Sequence, residues 1–366
     1  MRQGHPLAAT VLLTSASFAG YNIGSGFATG IEGQQFFAVW GARDGFAGLL
    51  LAMVVAAAVL AAVYLAGFRE RDKGSRDAYA YFFGPRLGRI FNWYIYLSII
   101  LVIFTLTSGA GATIHQHLGL PEIAGTGLIG VLCIAAALAG LTKLMRILGS
   151  LGTFIVLFVL GCGVYVFLTT GNGPVEGAAN AARYVAEGKI LPANIGGLKD
   201  PWSSALASAG LLINSGFPWA LATGALCRSR KEAVLSGIFS AVFYYGAKSI
   251  VVYLNLVDMD FIAASEVPIL AVIQHHLPQL APVYSVLILL AIFSTVSGRL
   301  FLVADRFGQG SRTRSLVISF ALIVAASLIG SAVSFSLISN LLFSFNGAVG
   351  IIICAAVARR ALFPET

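Results

Sequence analysis

The stretch "GYNIGSGFATGIEGQQFF", residues 20–37, continues an apolar run that begins at Leu7. It places four glycines (Gly20, Gly24, Gly26, Gly30) within eleven residues, then Glu32, Gln34 and Gln35. In lipid, irregular backbone survives only where it is buried in protein or lines a cavity. A charge at that depth is costly and is a functional candidate by default. Two readings are open. Gly20-x-x-x-Gly24 and Gly26-x-x-x-Gly30 are small-xxx-small pairs, which allow close helix packing without a break. Alternatively, the glycines interrupt the first span and expose its carbonyls and N–H groups to a site. A dinucleotide loop is excluded, because the spacing is G-x-G-x-x-x-G and no βαβ context surrounds it.

The rest of the chain is as apolar as its first span. Of 366 residues 58% are hydrophobic and 10% charged, against about 25% charged in soluble domains; mean hydropathy is +0.88. Apolar runs of roughly 20 residues recur, the length that crosses about 30 Å of hydrocarbon. Ten spans are expected, near 7–39, 45–67, 87–114, 123–142, 147–169, 203–227, 232–257, 281–304, 315–333 and 336–358. The run from Leu7 lacks a small-residue cleavage site and reads as a retained span. Cys133, Cys162, Cys227 and Cys354 fall within spans and read as small packing residues.

The net charge of +8 is a topological signal and no nucleic-acid footprint. Of the 23 Lys and Arg residues, 17 fall on one set of connecting segments and 4 on the other, with Lys248 and Arg299 inside spans. The positive-inside rule then puts both termini in the cytoplasm of a multi-pass protein of the cytoplasmic (inner) membrane. Residues 170–202 and 258–280 become outer loops; "AANAARYVAEGK" (178–189) is expected to form a short amphipathic helix, and 258–280 short helices over the membrane face.

Span six carries a second lesion, "INSGFPWA" (213–220). Its Pro218 removes a backbone donor and its Gly216 loosens the helix. Five spans separate the two lesions, and an odd-numbered repeat must be inverted in the membrane. The expected organisation is a first five-helix repeat over 1–169, a connecting loop over 170–202 and a second repeat over 203–366. Broken helices at matching positions of inverted halves point to a transporter's central site. In span eight, "LLAIFSTVSGRLF" (289–301), Ala291, Ser294 and Thr295 share one helix face. Freed carbonyls with hydroxyls suit a hard cation, although such hydroxyls commonly bond back to their own helix.

Ten spans, lesions in spans one and six, and the Ser-Thr pair resemble the leucine-transporter fold of sodium-coupled amino-acid and amine symporters. The stretch "IGSGFATGIEGQQFF" (23–37) is similar to the signature of the YkvI-like bacterial membrane proteins, a branch of that superfamily. The resemblance implies an all-α fold with helices 1 and 6 broken at the midplane. It implies one Na⁺ site from the carbonyls of Gly20, Ile23 and Ala291 and the hydroxyls of Ser294 and Thr295. A first sodium site of the neurotransmitter-symporter kind is not expected, because Phe27 and Ala28 follow Gly26 where that pattern has an Asn. Residues 147–169 hold no Lys or Arg that could replace the sodium.

The substrate pocket is expected between the lesions, from Asn22, Ser25, Gly26 and Phe27, and from Asn214, Ser215, Gly216, Phe217 and Trp219, with Thr105 or Ser108 of span three. Aromatic faces beside polar backbone suit a small amino acid or amine. Glu32 could bind a cationic substrate, form an outer gate, carry a proton, or pair structurally with Lys248. Arg299 and Asp305 are inner-gate candidates. His115, His117, His275 and His276 read as surface residues. The expected function is a Na⁺-driven symporter of a small organic solute, with a proton-coupled carrier using Glu32 or a substrate sensor as alternatives. No catalytic triad or metal-ligand cluster marks an enzyme, and oligomeric state is not readable.

Overall fold

The computed structural model describes residues 7–70, 78–139, 141–171, 173–194 and 197–362. These form helices throughout: α1 (Leu7–Asn22), α2 (Ser25–Ala28), α3 (Ile31–Phe36), α4 (Gly41–Arg69), α5 (Ala78–Leu118), α6 (Glu122–Ala139), α7 (Leu141–Thr169), α8 (Pro174–Gly177) and α9 (Ala181–Ala186). The second half holds α10 (Pro201–Gly224), α11 (Arg230–Val257), α12 (Met259–Ile262), α13 (Pro268–His276), α14 (Ala281–Gly308), α15 (Arg312–Ala332) and α16 (Phe335–Leu362). Among the described residues six helices, or seven if one bent pair is a single span, are long and apolar enough to cross a membrane. Expected spans one, four and six fall on α1–α3, α6 and α10, which are interrupted, short or less apolar, and expected span five falls on α7, whose residues 154–169 belong to the bent pair. Leu50, Val54, Leu157, Phe167, Leu168 and Leu328 are exposed on the bundle surface, as lipid-facing positions require.

Local chemistry sets the helix starts. Asp200 accepts hydrogen bonds from the N–H groups of Trp202 and Ser203, both at 3.0 Å, with Pro201 in the first turn of α10. Ser229 accepts from Glu232 N–H at 3.1 Å, while Glu232 reaches back to Arg228 N–H at 3.0 Å. Each cap satisfies donors that a helix N-terminus leaves open.

The centre of the bundle is α4 packed on α10 and α11, with α10 packed in turn on α16. The last contact is backbone on backbone: a Cβ on Gly350 would overlap the Gly210 carbonyl. The four cysteines are free; Cys133, Cys162 and Cys227 are buried and Cys354 is half-buried.

Span one is interrupted twice. Between α1 and α2, Gly24 N–H turns to the Asn22 carbonyl at 3.0 Å, which leaves the Gly20 carbonyl without its intrahelical donor. Between α2 and α3, Gly30 adopts a left-handed conformation at φ +87°.

Span six differs from expectation. Helix α10 runs through Asn214–Trp219 without a break, Pro218 included. Proline removes one donor, that to the Asn214 carbonyl, and tertiary contacts hold the turn. Asn214 is fixed by its side chain to α5 and α16. Gly216 lies flat on the Phe18 ring, where a Cβ would approach within 2.5 Å. The glycine is a packing device rather than a hinge.

The 258–280 segment also differs: Pro268–Ile273 of α13 are buried. Ile269 N–H donates to the Thr29 carbonyl at 2.9 Å, so α13 seals the second interruption of span one. His276 Nε2 lies 2.5 Å and His275 Nδ1 3.6 Å from Asp258 Oδ2, which ties α13 to the end of α11.

Candidate functional site

A cavity of about 110 Å³ lies at the first interruption, enclosed by α1–α3, α5, α10, α11, α14 and α16. Span one contributes Tyr21, Asn22, Gly24, Gly26, Phe27 and Glu32; α10 contributes Asn214, Ser215 and Pro218; α14 contributes Thr295 and Arg299. Asn22, Gly26, Phe27, Glu32, Asn214, Ser215, Thr295 and Arg299 are among the site candidates named from sequence. Gly26 is confined, since a Cβ there would meet the Phe343 ring at 2.7 Å and Glu32 Oε2 at 3.4 Å.

Other expectations fail on geometry. Helix α5 lines the cavity with Ile95, Ser98, Ile99, Val102 and Leu106, one stripe of a helix. At 3.6 residues per turn, Ser108 stands about 140° round from the middle of that stripe, while Thr105 lies within about 20° of Ser98 at its edge, two turns further along. Thr105 Oγ1 instead donates to the Leu101 carbonyl at 3.1 Å. Phe217 points away, stacked on Tyr79 at 4.8 Å with Phe82 at 5.4 Å. Trp219 stacks on Tyr21 at 4.8 Å, behind the lining. Gly216 touches Phe18 and Asn22 and does not open onto the cavity. Ser25 lies on α2 and Asp305 on α14, but their side chains are outside the described residues.

Of the residues expected to hold sodium, Thr295 alone lines the cavity. Its Oγ1 would lie 3.4 Å from a Cβ on Gly24, so the span-one break packs on this hydroxyl. Ser294 Oγ and Thr295 Oγ1 both donate to the Ala291 carbonyl at 2.9 Å. This back-bonding commits their protons and leaves hydroxyl lone pairs free to accept. Ile23 and Ala291 are buried and Gly20 is half-buried. The donor set is all neutral oxygen, chemistry that fits a hard monovalent cation.

Three charges bear on the cavity. Glu32 Oε1 is engaged by Lys248, which is fully buried, and accepts from Tyr244 Oη at 3.0 Å. Lys248 Nζ also lies 4.4 Å from the Tyr244 ring centroid and 5.4 Å from that of Tyr245. Of the roles open to Glu32, this geometry matches the ion pair. Arg299 is also buried, but donates to Ser215 Oγ at 3.1 Å and lies 5.8 Å from the Tyr21 ring centroid, with no carboxylate partner among the described residues.

Sequence reading missed the network at the cavity wall. Tyr94 Oη and Ser98 Oγ donate to Asn346 Oδ1 at 2.9 and 2.8 Å, and Asn214 Nδ2 donates into the same group. The available signal was Asn346, an amide six residues into span ten from Asn340, and Tyr244 one turn before Lys248.

This architecture, an interrupted first span set against an α14 hydroxyl beside a cavity between the helices, is that of an integral membrane protein of the leucine-transporter fold. Solved structures agree with it. The chain matches a Na⁺-coupled sialic acid symporter with a TM-score of 0.58 at 13% identity, over 98% of this chain and 96% of that one. It matches the manganese transporter of Eremococcus coleocola at 0.56 and 16%, over 97% and 79%. It matches MhsT in complex with L-phenylalanine at 0.51 and 16%, over 100% and 91%. In sequence, the chain is 22% identical to the uncharacterized membrane protein YkvI of Bacillus subtilis (strain 168), over 94% of this chain and 95% of that one. No family model matches.

Proposed function

We propose that the chain is a secondary transporter of a small organic solute, coupled to one Na⁺ and working by alternating access between halves 1–169 and 203–366. The observation that carries this reading is the span-one break packed on Thr295 at the edge of a cavity between the helices. A cation held by the Gly20, Ile23 and Ala291 carbonyls and the two hydroxyls would tie α1 to α14 and favour one arrangement of the halves. The charge bias supports an orientation with both termini inside, and residence in the cytoplasmic membrane is part of the same reading. Proton coupling through Glu32 is less well supported, because Lys248 and Tyr244 already occupy that carboxylate.

Trp219, stacked on Tyr21 one residue before Asn22, is a built-in fluorescence reporter of the break. Titrating purified protein with NaCl against KCl at constant ionic strength should give a saturable change with Na⁺ alone. Thr295→Val should weaken that response about 10-fold or more without loss of folded protein. Equal responses to Na⁺ and K⁺, or an unchanged Thr295→Val titration, refute the assignment.

A further inference from the structure

We propose that Asp258, His275 and His276 form a binding site for a divalent transition-metal cation of the Zn²⁺ type, and that the ion clamps α13 over the second interruption of span one. The site lies apart from the cavity, so the proposal goes beyond the transport reading and does not depend on it. Consecutive residues of a helix point about 100° apart. Here α13 ends at His276, and the two imidazole rings come together with centroids 4.6 Å apart. One ligand atom from each of the three residues lies within 4.8 Å of the other two. Asp258 Oδ2 stands 2.5 Å from His276 Nε2 and 3.6 Å from His275 Nδ1. Hydrogen bonding alone accounts poorly for this convergence. Both imidazoles address the same oxygen, while among the described residues no donor reaches Asp258 Oδ1. Three lone pairs aimed at one point suit a cation.

The donor set selects the ion. Imidazole nitrogens favour Zn²⁺ and its neighbours, whereas Ca²⁺ and Mg²⁺ take oxygen ligands. Two histidines and a carboxylate leave the fourth tetrahedral position to water. With bonds of about 2.0–2.1 Å, tetrahedral ligands stand roughly 3.3 Å apart, so His276 has to draw back from Asp258 by only about 0.8 Å. His275 Nδ1 is already near that spacing. His275 rests on the Phe261 ring at 4.5 Å with 49% of its side chain exposed, so solvent reaches the site. Residues 258–280 hold Asp258, Asp260 and Glu266 and no Lys or Arg, a field that attracts cations. Position gives the ion its consequence. Asn255 Nδ2 of α11 donates to the Gly30 carbonyl at 3.1 Å, and Ile269 N–H of α13 donates to the Thr29 carbonyl at 2.9 Å. Both helices therefore grip the second interruption, and Asp258 with the two histidines joins their far ends. A metal there closes the frame of α11, span one and α13.

The test is titration of the purified, tag-free full chain with ZnCl₂, read by calorimetry and thermal shift, with MgCl₂ and CaCl₂ as the hard-cation arms. Zn²⁺ should bind one per chain at micromolar concentration and raise the melting temperature. Millimolar Mg²⁺ or Ca²⁺ should neither do so nor displace it. Outer-shell partners of a metal ligand already matter by about 10–100-fold, so loss of a ligand itself in His275→Ala should weaken Zn²⁺ by about 100-fold or more. Asp258→Asn, which keeps the side-chain shape, should weaken it as much. His115→Ala, whose ring is engaged by the Leu120 carbonyl, should leave it unchanged. Co²⁺ in the site should show visible d–d bands that His275→Ala lacks. At Zn²⁺ ten times its Kd, any opening that breaks the site is suppressed about 10-fold, so hydrogen exchange across 259–276 should slow by that factor in wild type and not in His275→Ala. No saturable Zn²⁺ binding below millimolar concentration, or equal affinity in wild type, His275→Ala and Asp258→Asn, overturns the site. Binding that leaves the exchange of 259–276 unchanged overturns the clamp. None of these results bears on the transport reading, which stands or falls on the Na⁺ response of Thr295→Val.

Discussion

Lys248→Met isolates the buried ion pair that closes one wall of the cavity. Lys248 is wholly inaccessible and Glu32 is 6% exposed, so removing the ammonium leaves a carboxylate with Tyr244 Oη as its remaining partner. Such a group can neutralise itself, which caps the penalty. From an ordinary Glu value of about 4.3, protonation at pH 7 costs about 3.7 kcal/mol at 1.36 kcal/mol per unit. That sits inside the ~3–5 kcal/mol measured for breaking buried pairs. With about 2.1 cal/mol/K of unfolding entropy per residue, 366 residues give ~0.8 kcal/mol/K, so the melting temperature should fall by about 5 °C. Helices retained in detergent reduce that entropy and enlarge the shift. Glu32→Gln alone orphans Lys248, with a corresponding cap of about 4.6 kcal/mol from ~10.4 to pH 7. The double variant Glu32→Gln/Lys248→Met buries no charge and should recover to within about 1 kcal/mol of wild type. The assay is thermal denaturation in detergent, followed by the monodisperse fraction on size exclusion. A Lys248→Met protein as stable as wild type, or a double variant no better than the worse single, would refute the reasoning.

Gly30→Ala should destabilise the protein by at least ~1–2 kcal/mol, because φ is +87° and left-handed backbone penalises a Cβ by that much. The new Cβ also meets Ile269 of α13, so limited proteolysis of 258–280 should accelerate. Gly161→Ala, which meets nothing within 4 Å, is the control. Glu266 accepts from Ser336 N–H at 2.7 Å at the start of α16, and burial pushes its carboxyl above the ordinary value. A raised folded value means that its contribution is complete below the unfolded value and lost as pH rises through the folded one. Glu266→Gln should therefore melt at or above wild type at pH 8, with the difference vanishing near pH 4; a deficit at pH 8 contradicts the desolvation argument.

Much of the site's membership was legible because lipid makes its chemistry conspicuous. A carboxylate, a lysine and an arginine within apolar spans stand out by residue type, and Glu32, Lys248 and Arg299 do converge on one cavity or its wall. The glycine cluster of residues 20–30 likewise marked the break. What residue type cannot carry is direction. Thr105 and Ser108 are polar residues in a span, as Ser98 is, yet only Ser98 lines the cavity: Ser108 is turned away by the rotation of α5, and Thr105, on the same side as Ser98, bonds back to the Leu101 carbonyl.

The same holds for the two lesions. Composition, span length and the distribution of Lys and Arg determined a multi-pass helical protein, since these are properties of segments read one at a time against lipid. Helix is interrupted at residues 23–24 and 29–30 of the stretch 20–37, one of the two readings its glycines left open. Whether "INSGFPWA" would break was decided by what surrounds it: the Phe18 ring against Gly216, and the Tyr94–Ser98–Asn346 cluster holding Asn214. Tertiary structure also decided that Glu32 meets Lys248 while Arg299 keeps its guanidinium without a carboxylate among the described residues. Pairing depends on which helix faces stand opposite, and that is settled by packing across the bundle, not by any segment alone.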